Sequence, residues 1–228
     1  MENTINASLA CAFSRYQRQQ VTEYLAWQAE IVREYAQPHQ FVTHNFDFEW
    51  RGYSYGVQPR VDHFAAAQAL DIAGVDIYHP SQKHLTGREI AFGGAITRSL
   101  KRGKNYFVLE TQAQGFAQWT PYPGQLRLQA FSHVASGAAM VSYWHWHSIH
   151  NAFETYWKGL LSHDFSRNPT WQEATTIGAD FARLSPQLAE LKAENDVALL
   201  ISNEAMDALN HFRPGDAEGK IGRASCRE

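Results

Sequence analysis

Cysteine is nearly absent from these 228 residues, which hold only Cys11 and Cys226. Two thiols cannot staple a disulfide framework or build a thiolate metal site, so stability has to come from a hydrophobic core. Long apolar runs are missing as well, and nothing approaches the roughly 20 consecutive apolar residues that span a bilayer. Charge of one sign is also scarce. Lys and Arg total 20 against 23 Asp and Glu, a formal net charge of -3, which gives neither nucleic acid nor an anionic membrane a reason to bind. A glycine-rich nucleotide loop is lacking too: "AFGGAI" (91–96) lies inside a helical pattern, which removes the ground for an α/β oxidoreductase. Residues 1–10 show no basic start followed by an apolar stretch, so no signal peptide is evident. No cofactor is called for.

What the chain does have is aromatic residues. They make up 13% of it, with seven tryptophans, in a chain that is 44% hydrophobic and 19% charged. That balance is that of a folded globular protein. Trp119, Tyr122, Tyr143, Trp144, Trp146, Tyr156 and Trp157 fall close together, interleaved with His, Gln, Glu and Asn. Buried polar groups of that kind need partners. Flat rings beside amides and carboxylates suit a sugar, whose C–H face stacks and whose hydroxyls hydrogen-bond.

Periodicity supplies the elements. Residues 10–36 carry apolar positions at helical spacing, and Pro38 ends that helix. "FVTHNF" (41–46) predicts a strand, "RVDHFAAAQAL" (60–70) a helix, and "VDIYHP" (75–80) a second strand. "GREIAFGGAITRSL" (87–100) predicts a helix and "NYFVLETQ" a third strand. Pro123-Gly124 opens a helix that stops near Gly137, and "AAMVSYWHWHS" (138–148) predicts a fourth strand. Thr170 and Glu173 form a capping-box pattern for the long helix that follows. Alternating strands and helices imply parallel strands with helical crossovers, in either a doubly wound sheet or a (β/α)8 barrel. Both folds place function at the C-terminal ends of the strands. Those ends carry Asn45 and Asp47, Tyr78 and His79, Glu110 and Gln112, and Trp146 and His147. Glu110 asks for explanation, because an acid closing an apolar strand must find a partner or shift its pKa. A strand end meeting solvent would explain one such residue, but hardly four strands together.

Four stretches together resemble the family 42 glycoside hydrolases, β-galactosidases with a (β/α)8 barrel: "VTHNFDF", "VDIYHP", "FVLETQAQGFAQWTPYPGQLRLQAFSHVASGAAMVSYWHW" and "FETYWKGLLSHD". The resemblance implies an α/β fold, the C-terminal half of a (β/α)8 TIM barrel incomplete at its N-terminus. It implies a retaining glycosidase acting by double displacement on terminal β-D-galactosyl residues, with Glu110 at the position of the nucleophile. Trp119 resembles the tryptophan that stacks on the galactose ring, and Glu154 an acid that hydrogen-bonds sugar hydroxyls. Where the family has histidine three positions after that acid, this chain has Trp157. Asn45, His79 and Gln112 are further candidates for substrate binding. The family's acid/base belongs to an Asn-Glu pair on the fourth barrel strand, upstream of these residues, so the chain alone is expected to be inactive. A carbohydrate-binding or interaction protein with an aromatic cleft is the alternative.

Two motifs compete for attention. Ser202-Asn203-Glu204 imitates an Asn-Glu acid/base, but it follows Glu110 in the chain rather than preceding it. "WHWHSIH" places His145 and His147 on one face of a strand, yet no carboxylate or cysteine completes a metal set at suitable spacing, and no metal is expected. His44 and Asp76 stand at strand ends beside the candidate site, while Arg127 and His133 are expected to pack or face solvent. Residues 1–191 are read as the C-terminal part of the catalytic domain, and residues 192–220 as the start of a following α/β domain. Residues 221–228 back-translate to a string resembling a sequencing-adapter read, so they are set aside as an artefact. The resemblance further implies a cytoplasmic homo-oligomer.

Overall fold

The computed structural model describes residues 4–48, 60–78, 86–114, 120–189, 191–211 and 225–226. The chain divides into two compact units: Met1–Gln40, Ser54–Ala69 and Glu194–Glu228 form one, and Phe41–Tyr53 and Leu70–Ala193 the other.

The first unit is built on α1 (Ala7–Tyr35), which starts where the Asn6 side chain accepts from the Leu9 amide. It also contains α2 (His63–Ala66), which runs into a 3-10 turn at Ala67–Ala69. Its polar centre is Asp207, 8% exposed, held by Arg18 at 2.5 Å and Arg60 at 2.6 Å. Burying a carboxylate and a guanidinium together is tolerated when they pair at this distance.

The second unit contains β1 (Asn45–Phe46), β2 (Gly74–Asp76), β3 (Tyr106–Gln112) and β4 (Ala138–Trp144). They form a four-stranded sheet in the order β1-β2-β3-β4, with every pair parallel. Between β2 and β3 lies α3 (Arg88–Leu100), between β3 and β4 lies α4 (Gln125–Ala135), and α5 (Pro169–Leu188) follows β4. A doubly wound sheet reverses its strand order at a switch point. Here the order is sequential, the arrangement of half a (β/α)8 barrel.

One face of this sheet is covered by helix. Val75, Ile77, Tyr106 and Val108 are all buried. In α3, a Cβ on Gly93 would meet Ile77 Cδ1 at 2.9 Å, and one on Gly94 would meet the Tyr106 hydroxyl at 2.6 Å. The pair of glycines therefore serves close helix–sheet packing, not phosphate binding. Beyond β4, Leu126, Ala130 and Ile177 join α4 to α5, with Tyr143, Leu160 and Phe181 around them.

Several boundaries differ from the sequence reading. β1 forms only at Asn45 and Phe46, because Val42 is tied to Asp71 instead: its amide donates to the Asp71 carboxylate at 2.7 Å, and its carbonyl accepts from the Asp71 amide at 2.8 Å. β4 stops at Trp144, after which the chain turns away, and the Trp144–His145 peptide bond is cis. His147 keeps only an isolated bridge to Leu161. The capping box at Thr170 and Glu173 does not form. Asn168 caps α5 by accepting from the Trp171 amide at 3.0 Å, with Pro169 at the first turn, where a missing N–H costs nothing. Glu173 instead reaches α4 and accepts from the amides of Gly124 at 3.1 Å and Arg127 at 2.8 Å. It supplies the cap that Gly124, with no side chain, cannot. In the first unit β5 (Ala198–Leu199) pairs antiparallel with β6 (Ser225–Cys226), and α6 (Asn203–His211) holds Asn203 and Glu204.

Candidate active site

Strict alternation along β3 would put Glu110 on the same face as Tyr106 and Val108, against the helices. Register prevents this. Val75 pairs with Val108, and the next residue of β2, Asp76, pairs with Glu110, so Leu109 is an extra residue on β3. This β-bulge reverses the phase and turns Glu110 to the opposite face. There it joins Asp76, its register partner, and Asn45, which pairs with Gly74 two residues before Asp76. Tyr78 continues the same period along the chain after β2.

Four side chains therefore converge. The Tyr78 hydroxyl donates to Glu110 Oε2 at 2.9 Å, and Asn45 Nδ2 donates to Glu110 Oε1 at 3.3 Å. Asn45 Nδ2 also donates to Asp76 Oδ2 at 3.0 Å. Both oxygens of the glutamate thus have a donor, which fixes the plane of the carboxyl group and favours its ionised form. Burial works the other way and is the largest influence, raising the Glu110 pKa above the ordinary glutamate value; Tyr78 and Asn45 oppose it, and the nearby charges of Glu154 and Asp47 reinforce it. A half-buried carboxylate beside two others, yet held by two aimed donors, makes Glu110 the candidate reacting group of this site.

The loop after β4 completes the surroundings. It folds back through Ser148, whose hydroxyl donates to the Leu161 carbonyl at 3.0 Å and accepts from the Gly159 amide at 3.2 Å. Gln114, just beyond β3, donates to the Gly159 carbonyl at 2.9 Å and ties this loop to β3. Glu154 is half-buried on the loop, and its carbonyl accepts from the Trp157 amide at 3.0 Å. Trp157 is only 3% exposed, with its ring centroid 5.5 Å from that of Tyr78. It backs the tyrosine that holds Glu110. Gln112 is buried, near the Thr111 hydroxyl, and Thr111 accepts from Gln129 of α4 at 2.7 Å. Trp119 and His79 lie outside the described residues.

The histidines of this loop form a stack: His145 to His147 at 5.2 Å and His147 to His150 at 5.4 Å between ring centroids, with Phe165 against the last two. Burial, then the neighbouring His147, lowers the His145 pKa, and Glu154 partly opposes this. Among the described residues no group of three or more His, Cys, Asp or Glu is placed to hold a metal ion. Arg127 binds Asp180 and covers the Phe131 ring, and His133 is fully buried.

The family model for glycoside hydrolase family 42, described as beta-galactosidase, matches residues 1–184. The chain belongs to that family. A β-galactosidase of Thermus thermophilus is 32% identical over 88% of this chain, and one of Clostridium cellulovorans is 26% identical over 88%. The chain spans 32% and 30% of those two proteins, about a third of their length. Among solved structures, the β-galactosidase of the haloarchaeon Halorubrum lacusprofundi superposes with a TM-score of 0.78 at 25% identity, over 95% of this chain and 33% of its own. The cold-adapted β-galactosidase of Rahnella sp. R3 superposes at 0.79 with 21% identity, over 91% of this chain and 30% of its own. This likeness extends the family's barrel fold to the sequential parallel sheet of the second unit.

The residues missed by sequence reasoning are Tyr78 and Asp76 as partners of the glutamate and its asparagine. Tyr78 stood among the strand ends, but sugar recognition was assigned to its neighbour His79. The signal available was the period of two from Asp76 to Tyr78, which puts both on one face.

Proposed function

We propose that the complete protein is a retaining β-galactosidase in which Glu110 is the nucleophile. The observation that carries this is the pair of donors, Tyr78 and Asn45, aimed at the two oxygens of a half-buried carboxylate at the end of a barrel strand. In such a reaction the ionised glutamate attacks the anomeric carbon while a second carboxyl, about 5–5.5 Å away, protonates the leaving oxygen. Water then cleaves the glycosyl ester, with the second carboxyl acting as base. Tyr78 and Asn45 orient the attacking oxygen and keep it charged in a site whose burial favours protonation. The family resemblance supports a second carboxyl supplied by an Asn-Glu pair on the fourth barrel strand, outside these residues.

Glu154 and Trp119 are assigned to the sugar, the acid to its hydroxyls and the indole to its C–H face; Asn45, His79 and Gln112 complete the proposed substrate contacts. Trp157, buried against Tyr78, borders the same site. The substrate class is a small β-galactoside. A homo-oligomer acting in the cytoplasm is part of this reading, supported by the family resemblance. Among the described residues no helix is long and apolar enough to cross a membrane.

The test is Glu110→Gly in the full-length protein. Turnover of a nitrophenyl β-galactoside should be abolished, and azide should partly restore it by attacking from the vacated side. Near-normal activity without azide would remove Glu110 from the mechanism, whereas a wild-type full-length protein without turnover would favour a binding protein.

A further inference from the structure

We propose that Asp76 is a positioning residue for Glu110, acting through the side-chain amide of Asn45. It rests on the reading of Glu110 as an ionised nucleophile and adds a further carboxyl-bearing residue to the machinery.

The geometry is specific. Asp76 and Glu110 are register partners on adjacent parallel strands, so two carboxylates stand side by side on one face. Side by side, two like charges repel. Asn45 sits on the strand beyond Asp76 and places one NH2 group between them, at 3.0 Å from Asp76 Oδ2 and 3.3 Å from Glu110 Oε1. An amide NH2 has two hydrogens, and here each has an acceptor. Turning the amide by half a rotation would put its carbonyl oxygen against both carboxylates. Two attractive contacts would become two repulsive ones.

Asp76 therefore removes the alternative. Asn45 is exposed, and its contact with Glu110 alone is long for an N–H···O bond. Without Asp76 the side chain is free to rotate or to turn its oxygen toward the nucleophile. The shorter bond to Asp76 holds the amide so that the longer one points at the reacting group. The other groups acting on the Glu110 charge are Tyr78, Asp47 and Glu154, and Tyr78 serves the other oxygen. The position of one Glu110 oxygen is thus governed by the Asn45–Asp76 pair.

The experiment is a cycle in the full-length enzyme: Asp76→Ala and Asp76→Asn, each with and without Asn45→Ala, read as pH profiles of kcat/KM. Both substitutions remove the Asp76 charge, which alone would lower the Glu110 pKa, so the two variants are read against each other. Asp76→Asn keeps an acceptor oxygen for Asn45 and Asp76→Ala does not, so Asp76→Ala should have a kcat/KM about tenfold lower than Asp76→Asn, the scale of one charge-assisted hydrogen bond, and an acidic limb at higher pH. In the Asn45→Ala background the two substitutions should be indistinguishable.

Equal limbs in Asp76→Ala and Asp76→Asn, or a difference between them that persists without Asn45, would overturn the proposal. Should Asp76→Ala not fold, Asp76→Leu, close in size and without an acceptor, takes its place in the same comparison. Glu110→Gly is measured alongside. Turnover retained in that variant removes the nucleophile reading whatever Asp76 does, whereas an inactive Glu110→Gly with equal limbs in the two Asp76 variants removes this inference alone.

Discussion

Replacing Tyr78 with phenylalanine deletes one oxygen and nothing else. The ring is 4% exposed and lies 5.5 Å from the Trp157 ring, so packing is kept and no cavity opens. What disappears is the 2.9 Å hydrogen bond to Glu110 Oε2. A bond to a charged acceptor is worth about 1.5–3 kcal/mol. That charge stabilisation weakens as the negative charge passes to the sugar, so it does not itself accelerate the step. What is lost at a pH where Glu110 is fully ionised is the orientation of the attacking oxygen, an expected cost of about tenfold in kcat/KM. Burial already raises the Glu110 pKa and Tyr78 lowers it. Removing the hydroxyl therefore raises the pKa further, and the acidic limb should shift to higher pH. The ratio of wild-type to Tyr78→Phe activity should grow as pH falls. The assay is kcat/KM on a nitrophenyl β-galactoside across the acidic range, with a thermal melt as the folding control. An unchanged melting temperature with a pH-independent ratio would refute the role given to Tyr78.

Glu110→Gln tests the cost of the buried charge. A carboxyl whose pKa is raised on folding binds its proton more tightly when folded, so stability falls as pH rises through the folded-state value. Glu110→Gln should melt higher than wild type near neutral pH, and that advantage should vanish at pH below the ordinary glutamate value of 4.5; an equal melting temperature at neutral pH would contradict the burial argument. Gly74→Ala would drive a Cβ into Leu109 Cδ1 and to 2.6 Å from the His44 carbonyl. It should separate β1 from β2, displace Asn45 and lower both the melting temperature and kcat/KM, whereas wild-type values for both would show that the strands can give way. Asp207→Ala would leave Arg18, a cation with 6% side-chain exposure, with only the longer 3.5 Å contact to the exposed Glu204. The loss should be about 3–5 kcal/mol, seen as a lower urea midpoint with an unchanged slope, and a shift under 1 kcal/mol would mean that water reaches Arg18 readily.

Element order was legible in the sequence because apolar periodicity and Gly or Pro punctuation are local signals. Parallel strands followed from alternating strands and helices, but their sequential order did not, because alternation fits a doubly wound sheet as well; the barrel was implied by the family resemblance. Boundaries depended on contacts made far along the chain. Val42 read as strand but bonds Asp71, and Thr170 with Glu173 read as a capping box while Asn168-Pro169 starts the helix and Glu173 caps α4. Glu110 was visible as an acid at a strand end. The face it occupies was not, since a bulge at Leu109 is set by pairing with β2 rather than by composition. Tyr78 and Asp76 stood at strand ends in the sequence, but what they hold was hidden for the same reason: it arises from register between strands separated by whole helices.

The nucleophile assignment is most directly tested by trapping the covalent intermediate. A 2-deoxy-2-fluoro β-galactoside with a good leaving group slows the second displacement more than the first, so the glycosyl-enzyme accumulates. The full-length enzyme should lose activity with time, and peptide mass spectrometry should find one fluorogalactosyl group on the peptide containing Glu110. Label on a different carboxylate, or turnover of the fluorosugar without any label, would contradict the account.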